Sequence, residues 1–306
     1  MAGEVTFHQL RIFATVAELE SVRLAATRLC LSQSAVSAAL STLQRELAVT
    51  LVRPRGRGLE LTAAGRCYAG YSRQLLGLAE EARLSTADDG NARSSAPLRL
   101  AVVASMGEDL VPRILRGFRG HYPGVRLQLE TGSRDRVWAM LSEYVVDVAI
   151  GGRPPSHFDF VIQAVCPNEM VAVASPDLLP CGPPATLPWI WREEGSASRD
   201  LTAELISELG AAEPDITLGC HSALVAGAVA GLGVALVSRD AVWRELVEGD
   251  LVVLSVPRTP LDLPHHLVTR RAPGPAVRQF VGYLLSQRRA GFGSFSRTTG
   301  VQAAVQ

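Results

Sequence analysis

A chain of 306 residues allows about two domains, and 47% apolar with 20% charged residues is the composition of an ordinary globular protein. Thirty basic residues, all arginine, balance thirty acidic ones. A net charge of zero argues against holding nucleic acid by bulk charge, but residues 1–66 carry eight Arg against five Glu, so a basic surface would be local. No apolar run reaches the ~18 residues of a membrane span, and Glu4 and His8 interrupt any signal-like start, so a cytoplasmic protein is expected. Cys30, Cys67, Cys166, Cys181 and Cys220 form no CxxC pair, and most of them are expected to be small buried hydrophobes in a reducing compartment.

Taken in order, Phe7 to Glu18 reads as a helix with Leu10, Phe13, Ala14 and Ala17 on one face and Thr6 as its cap. Ser21 to Leu47 reads as two helices around a tight turn. The first carries Leu24, Ala25, Ala26 and Leu29. The second starts after a Ser32 cap and buries Val36, Leu40, Leu43 and Leu47 at spacings of 4, 3 and 4. Its other face carries Gln33, Ser34, Ser37, Ala38 and Ser41, which are short and mostly neutral hydrogen-bonding groups. A merely solvated helix would show Glu, Lys and Arg there; a helix laid against the floor of a DNA major groove needs small groups that read base edges. This is the pattern of a helix-turn-helix.

The next segment, LVRPRGRGLELT, alternates Arg53, Arg55 and Arg57 with Pro54, Gly56 and Gly58, then runs into Leu59-Glu60-Leu61. A two-stranded hairpin with arginines at its tip is a wing, placed to reach phosphates or the minor groove. Residues 1–61 therefore form a winged helix-turn-helix. Thr62 caps a linker helix over 62–84, in which Ala64, Tyr68, Tyr71, Leu75, Leu78 and Ala82 fall at heptad spacings and form a seam for a second copy of the chain. A polar, Gly/Ser/Asp-rich hinge follows at 85–97.

Residues 98–290 alternate strand-like and helical segments, which points to largely parallel sheets covered by helices. Two α/β lobes, about 98–165 with 265–290 and about 166–264, would enclose a ligand cleft. The tail at 291–306 is expected to be disordered.

The segment from FHQLRIF to LELTAAG resembles the winged helix-turn-helix of LysR-type transcriptional regulators, in Ala25-Ala26, the Ser32-Gln33-Ser34-Ala35-Val36-Ser37 run, Leu43, Leu47 and Leu61-Thr62-Ala64-Gly65. Ala230-Gly231-Leu232-Gly233-Val234-Ala235 matches the second lobe of that family. The resemblance covers about residues 5–290 and implies an α/β multidomain protein: a winged helix-turn-helix, a long linker helix and a two-lobed effector domain like periplasmic binding proteins. Gln44, Ala48 and Val52 depart from the usual acidic residue, glycine and phenylalanine. Ser34 and Asp147 to Pro155 (DVAIGGRPP) are also similar to the regulators of carbon-fixation operons within the family, which implies phosphorylated sugars or reduced nicotinamide nucleotides as effectors.

Roles then follow by position. Gln33, Ser34, Ser37 and Ala38, beginning at Ser32, would face bases, with Arg23, Arg53 and Arg55 on phosphates. For the effector, Ser105-Met106 follows the first strand and Arg153 another strand end, while Ser196, Ser198, Arg199, His221 and Ser222 begin helices whose amides favour an anion. The expected partners are double-stranded operator DNA, a small anionic metabolite, further copies of the chain in a dimer or tetramer, and RNA polymerase. No membrane, metal, cofactor or catalytic site is expected: Gly195-Ser196-Ala197-Ser198 lacks the GxSxG spacing, and His265-His266 on a strand point to opposite faces. The competing readings are a small-molecule binder that uses its helix-turn-helix only for assembly, and a repressor that no ligand controls.

Overall fold

The computed structural model describes residues 5–56, 58–85, 97–107, 110–287 and 294–297. The stretch 86–96, nearly all of the expected hinge, lies outside the described residues. The chain divides into an N-terminal unit and a larger effector unit.

In the N-terminal unit three helices pack first: α1 (Phe7–Leu19), α2 (Val22–Leu29) and α3 (Gln33–Leu47). Each starts on a hydroxyl cap. Thr6 closes a reciprocal capping box with Gln9, Ser21 accepts the Leu24 amide, and Ser32 accepts the Ala35 amide. Ile12, Phe13, Val16, Ala25, Ala26, Val36, Leu40 and Leu43 form the core between them. Ala25 and Ala26 are buried to within 3% of full burial, so α2 crosses its neighbours without bulk at the contact. Leu24 departs from the expected face and is 46% exposed.

The wing is an antiparallel pair, β1 (Val52–Arg55) and β2 (Gly58–Leu61), with Arg53 opposite Glu60. Thr62 caps α4 (Ala63–Ser85) through the Gly65 amide at 2.9 Å. Gly65 is required there: a Cβ would sit 1.9 Å from the Leu51 carbonyl oxygen. Tyr68 faces the core and meets the Phe13 ring at 5.6 Å, whereas Tyr71, Leu75 and Leu78 are 60%, 48% and 58% exposed.

The effector unit begins with β3 (Leu98–Val103), α5 (Ala104–Gly107), α6 (Leu110–His121), β4 (Leu127–Gly132), α7 (Arg134–Ser142), β5 (Val148–Gly151) and β6 (Val161–Cys166). The chain then crosses to the second lobe: β7 (Glu169–Ala174), β8 (Ile190–Arg192), α8 (Ala197–Leu209), β9 (Ile216–Leu218), α9 (His221–Val229), β10 (Ala235–Ser238), α10 (Trp243–Glu248), β11 (Val252–Val253) and β12 (Leu261–Asp262). It returns through β13 (His265–Thr269) and α11 (Pro275–Ser286).

The expectation of largely parallel sheets needs correction. The first-lobe sheet, ordered β4-β3-β5-β13-β6, is parallel only at β3–β4 and β3–β5, because β13 runs antiparallel to both of its neighbours, β5 and β6. In the second lobe β7 is antiparallel to β10, β11 and β12, and only β8–β9 is parallel. The physical reason is the double crossover: β6 and β13 lead out of and back into the first lobe, so they enter its sheet in opposite senses.

Two further expectations are corrected. Residues 294–297 are not loose: Phe295 packs into the first-lobe core and Ser296 exchanges two 2.9 Å backbone hydrogen bonds with Val165 at the β6 edge. The rest of the tail lies outside the described residues. Of the cysteines only Cys166 is buried; Cys30, Cys67, Cys181 and Cys220 are exposed. Among the described residues no helix is long and apolar enough to cross a membrane, and no three His, Cys, Asp or Glu side chains cluster as metal ligands.

Candidate DNA-facing surface and effector cleft

On α3 the side chains of Gln33, Ser34, Ser37 and Ala38 are all exposed, one turn from the buried Val36 and Leu40. Ser32 is committed to the helix start, where its hydroxyl accepts the Ala35 amide at 3.1 Å and lies 2.9 Å from the Ser34 hydroxyl. Arg23 is exposed on the first turn of α2. In the wing Arg57 lies outside the described residues, and Arg53 and Arg55 are exposed but not isolated. Arg53 is hydrogen-bonded to the Glu60 carboxylate, and Arg55 Nη1 lies 3.4 Å from its other oxygen. Gln44 replaces the family's acidic residue without loss of the turn: its Oε1 accepts the amides of Leu51 and Val52 at 2.8 and 3.2 Å.

In the effector unit a cleft between the lobes encloses about 550 Å³, part of it open to solvent. Ser105 reaches it from α5, directly after β3, and Ser133 and Arg134 from the junction of β4 with α7; both strands end on the same side because they are parallel. The second lobe contributes Arg192 from the end of β8, Ser196 and Ser198 from the start of α8, and His221 from the start of α9. Asn168, Ser238 and His265 line the side where the lobes are joined. No Phe, Tyr or Trp lines the cleft among the described residues.

The cleft is lined partly by apolar residues, Val103, Met170, Leu236, Val237 and Leu263 among them, and its second-lobe wall carries buried polar groups. Ser196 and Ser198 are 6% and 8% exposed, with their hydroxyls 3.0 Å apart, and Ser196 makes no side-chain cap bond with α8. The first amides of α8 and α9 are the orphan donors that attract an anion. Arg192 is buried and bonded through Nε and Nη2 to Glu193, both at 2.7 Å. Burial alone would raise the Glu193 carboxyl, but these bonds outweigh it and hold it below the usual range.

His221 brings a buried ring nitrogen without a protein partner to this wall. It is 4% exposed, its Nε2 has no hydrogen bond, and burial followed by the nearby Arg192 charge pushes its pKa down to about 4. His265, 8% exposed, is also held at about 4, by burial and then by His266, and its Nδ1 has no hydrogen bond. Both rings are therefore neutral near pH 7, and each leaves a buried polar nitrogen unsatisfied by protein, which is costly unless something else meets it.

Four of the residues expected at the effector site, Ser105, Ser196, Ser198 and His221, thus line one cavity. The other four do not. Met106 is buried in the first-lobe core and touches only a smaller adjoining cavity. Arg153 and Ser222 are exposed and off the cleft wall. Arg199 folds away from it: Nη1 donates to the Arg192 carbonyl at 2.6 Å and the guanidinium lies 4.8 Å from the Trp191 ring centre. The cleft's cations are instead Arg192 and Arg134. The signal that finds Ser133 and Arg134 is the rule that points to Ser105, since all three follow the carboxyl ends of adjacent parallel strands.

A winged helix-turn-helix, a long helix and a two-lobed domain around a cleft with buried polar groups on its wall define a DNA-binding regulator with an effector domain. The family model "Bacterial regulatory helix-turn-helix protein, lysR family" matches residues 7–66, and the LysR substrate binding domain model matches residues 91–289. The chain belongs to the LysR family of transcriptional regulators, and it is not an enzyme. It is 31% identical to the transcriptional regulator CbbR of Rhodospirillum rubrum, over 92% of this chain and 96% of that one. It is likewise 31% identical to the RuBisCO operon transcriptional regulator of Allochromatium vinosum, with the same coverage of 92% and 96%. Among solved structures, a full-length OxyR variant from Pseudomonas aeruginosa shares the fold with a TM-score of 0.71 at 17% identity, covering 93% of this chain and 96% of that one.

Proposed function

We propose that the protein regulates carbon-fixation or central-metabolism genes in response to a small phosphorylated, hydroxyl-rich metabolite bound between the lobes of its effector unit. The names of the relatives at 31% identity support the target genes. The observation that carries the ligand reading is the buried, unpartnered Nε2 of His221 on a wall that also holds Arg192 and the Ser196 and Ser198 hydroxyls. Such a wall offers donors to an anion and hydroxyls to a polyol. It offers no large aromatic ring on which a nicotinamide or adenine would stack, which favours a sugar phosphate over a dinucleotide.

On DNA, Gln33, Ser34, Ser37 and Ala38 meet base edges, and Arg23, Arg53 and Arg55 meet phosphates. The exposed Tyr71, Leu75 and Leu78 of α4 pack against a second copy of the chain, whose two recognition helices then address two half-sites.

Calorimetric titration of the full chain with phosphorylated sugars tests the ligand reading. Saturable binding is expected, weakened about tenfold by Ser196→Ala and by His221→Leu, the loss of one hydrogen bond to a charged group in each case. Affinity unchanged in both variants would overturn the assignment.

A further inference from the structure

Arg134 stands where the cleft wall meets the contact between the lobes. It opens α7 of the first lobe and lines the cleft. Its guanidinium, however, is shared between two carboxylates. Nε donates to Asp135 Oδ1 at 2.9 Å on its own helix, and Nη1 lies 3.0 Å from Asp200 Oδ2 on the first turn of α8 in the second lobe. The same turn carries Ser198, and the lobes meet again beside it, where the Asp135 amide approaches the Gly195 carbonyl at 3.5 Å.

Two features decide what this bridge does. The first is charge: one guanidinium faces two carboxylates, so an anion approaching Arg134 meets a local charge of about −1, where the Arg134–Asp135 pair alone would present about 0, and Asp200 supplies the difference. The second is exposure. The Asp200 side chain is 56% exposed against 31% for Arg134, so a displaced Asp200 carboxylate goes to water at little cost, while Arg134 keeps its place on the wall.

We propose that Asp200 is a built-in competitor for the effector anion. It occupies Arg134 across the mouth of the cleft, and an anion that reaches Arg134 displaces the Asp200 carboxylate and releases an ion pair that ties α7 of the first lobe to α8 of the second. Ligand binding and the lobe-to-lobe contact thereby draw on the same guanidinium. Arg134 is a further anion-binding residue and Asp200 sets the threshold at which it responds. This rests on the reading of the cleft as an anion site.

The test titrates the full chain with inorganic phosphate at fixed ionic strength, comparing the wild type with Asp200→Asn, Asp200→Glu, Arg134→Gln and the double variant Arg134→Gln/Asp200→Asn. Removing the competing charge is expected to tighten phosphate binding by about two- to fivefold, roughly what one such exposed ion pair contributes. Asp200→Glu should stay near the wild type, Arg134→Gln should weaken binding about tenfold, and Asp200→Asn should have no effect once Arg134 is gone. Merely loosening the structure would not tighten binding. Weaker binding by Asp200→Asn would mean that the bridge closes over the ligand, and unchanged binding that the anion does not meet Arg134; either result overturns the proposal. If neither the wild type nor any variant binds phosphate or sugar phosphates, the cleft reading itself falls and takes the competitor with it.

Discussion

The Asn168 side chain donates to the Leu263 carbonyl oxygen at 2.9 Å, and the Leu263 amide donates back to the Asn168 carbonyl oxygen at 2.9 Å. These residues lie on the two segments that cross between the lobes, each beside a proline, Pro167 and Pro264. Asn168 Oδ1 also accepts from the Ser238 hydroxyl, so one buried amide ties three chain segments at the base of the cleft. Asn168→Ala strands the Leu263 carbonyl and the Ser238 hydroxyl, and is expected to cost about 2–3 kcal/mol, read as a fall of roughly 4–10 °C in the melting temperature. A change below 2 °C would show that the crossovers do not depend on this amide.

Ala48 ends α3 with φ = 51°, in the left-handed region where a Cβ is penalised by about 1–2 kcal/mol. Ala48→Gly relieves that strain but adds freedom to the unfolded chain, which offsets about 0.5–1 kcal/mol. The expected net gain is ~0.5–1 kcal/mol in urea unfolding, and a loss of stability would contradict the strain.

Glu60 holds two of the wing arginines, Arg53 by a hydrogen bond and Arg55 at 3.4 Å, so DNA phosphates must compete with a carboxylate for them. Glu60→Gln is expected to raise affinity for random and operator DNA alike by roughly two- to fivefold at low salt, with a steeper salt dependence. Unchanged affinity would mean that the wing does not reach the backbone.

The two buried histidines give acid sensitivity a definite sign. His221 and His265 sit at about 4 in the folded chain against roughly 6.5 when unfolded. A lowered folded pKa means that the unfolded chain binds protons first as the pH falls. Stability is therefore complete above about pH 6.5 and is lost between there and pH 4, at about 1.4 kcal/mol per pH unit for each ring. Urea unfolding at pH 7 and pH 5 should show a drop that His221→Gln and His265→Gln each reduce by about 2 kcal/mol. A drop that neither variant alters would place the acid sensitivity elsewhere.

The N-terminal unit was legible in the sequence because its signals are local: hydroxyl caps at Thr6, Ser21, Ser32 and Thr62, helical spacing of the apolar residues, and a Pro/Gly-broken run of arginines. The effector unit was legible as alternating elements but not in strand direction, since β13 pairs with β5 and β6 across a hundred residues and no nearby residue records that return. The cleft was half legible. Helix starts at Ser196 and His221 stand out, but Arg192 ends a strand of only three residues, too short to show a period. Arg199 misleads because its position suits an anion site, while the Trp191 ring and the Arg192 carbonyl take up its charge. Which cysteines are exposed depends on packing that composition does not record.

Occupancy of the cleft is expected to alter how the protein holds DNA. A footprint on the DNA upstream of the protein's own gene, taken with and without phosphorylated sugars at fixed salt, tests it most directly. A protected site that shortens or shifts with one of these compounds is expected in the wild type, and His221→Leu should keep the site but no longer change it. A footprint that no sugar phosphate moves would contradict it.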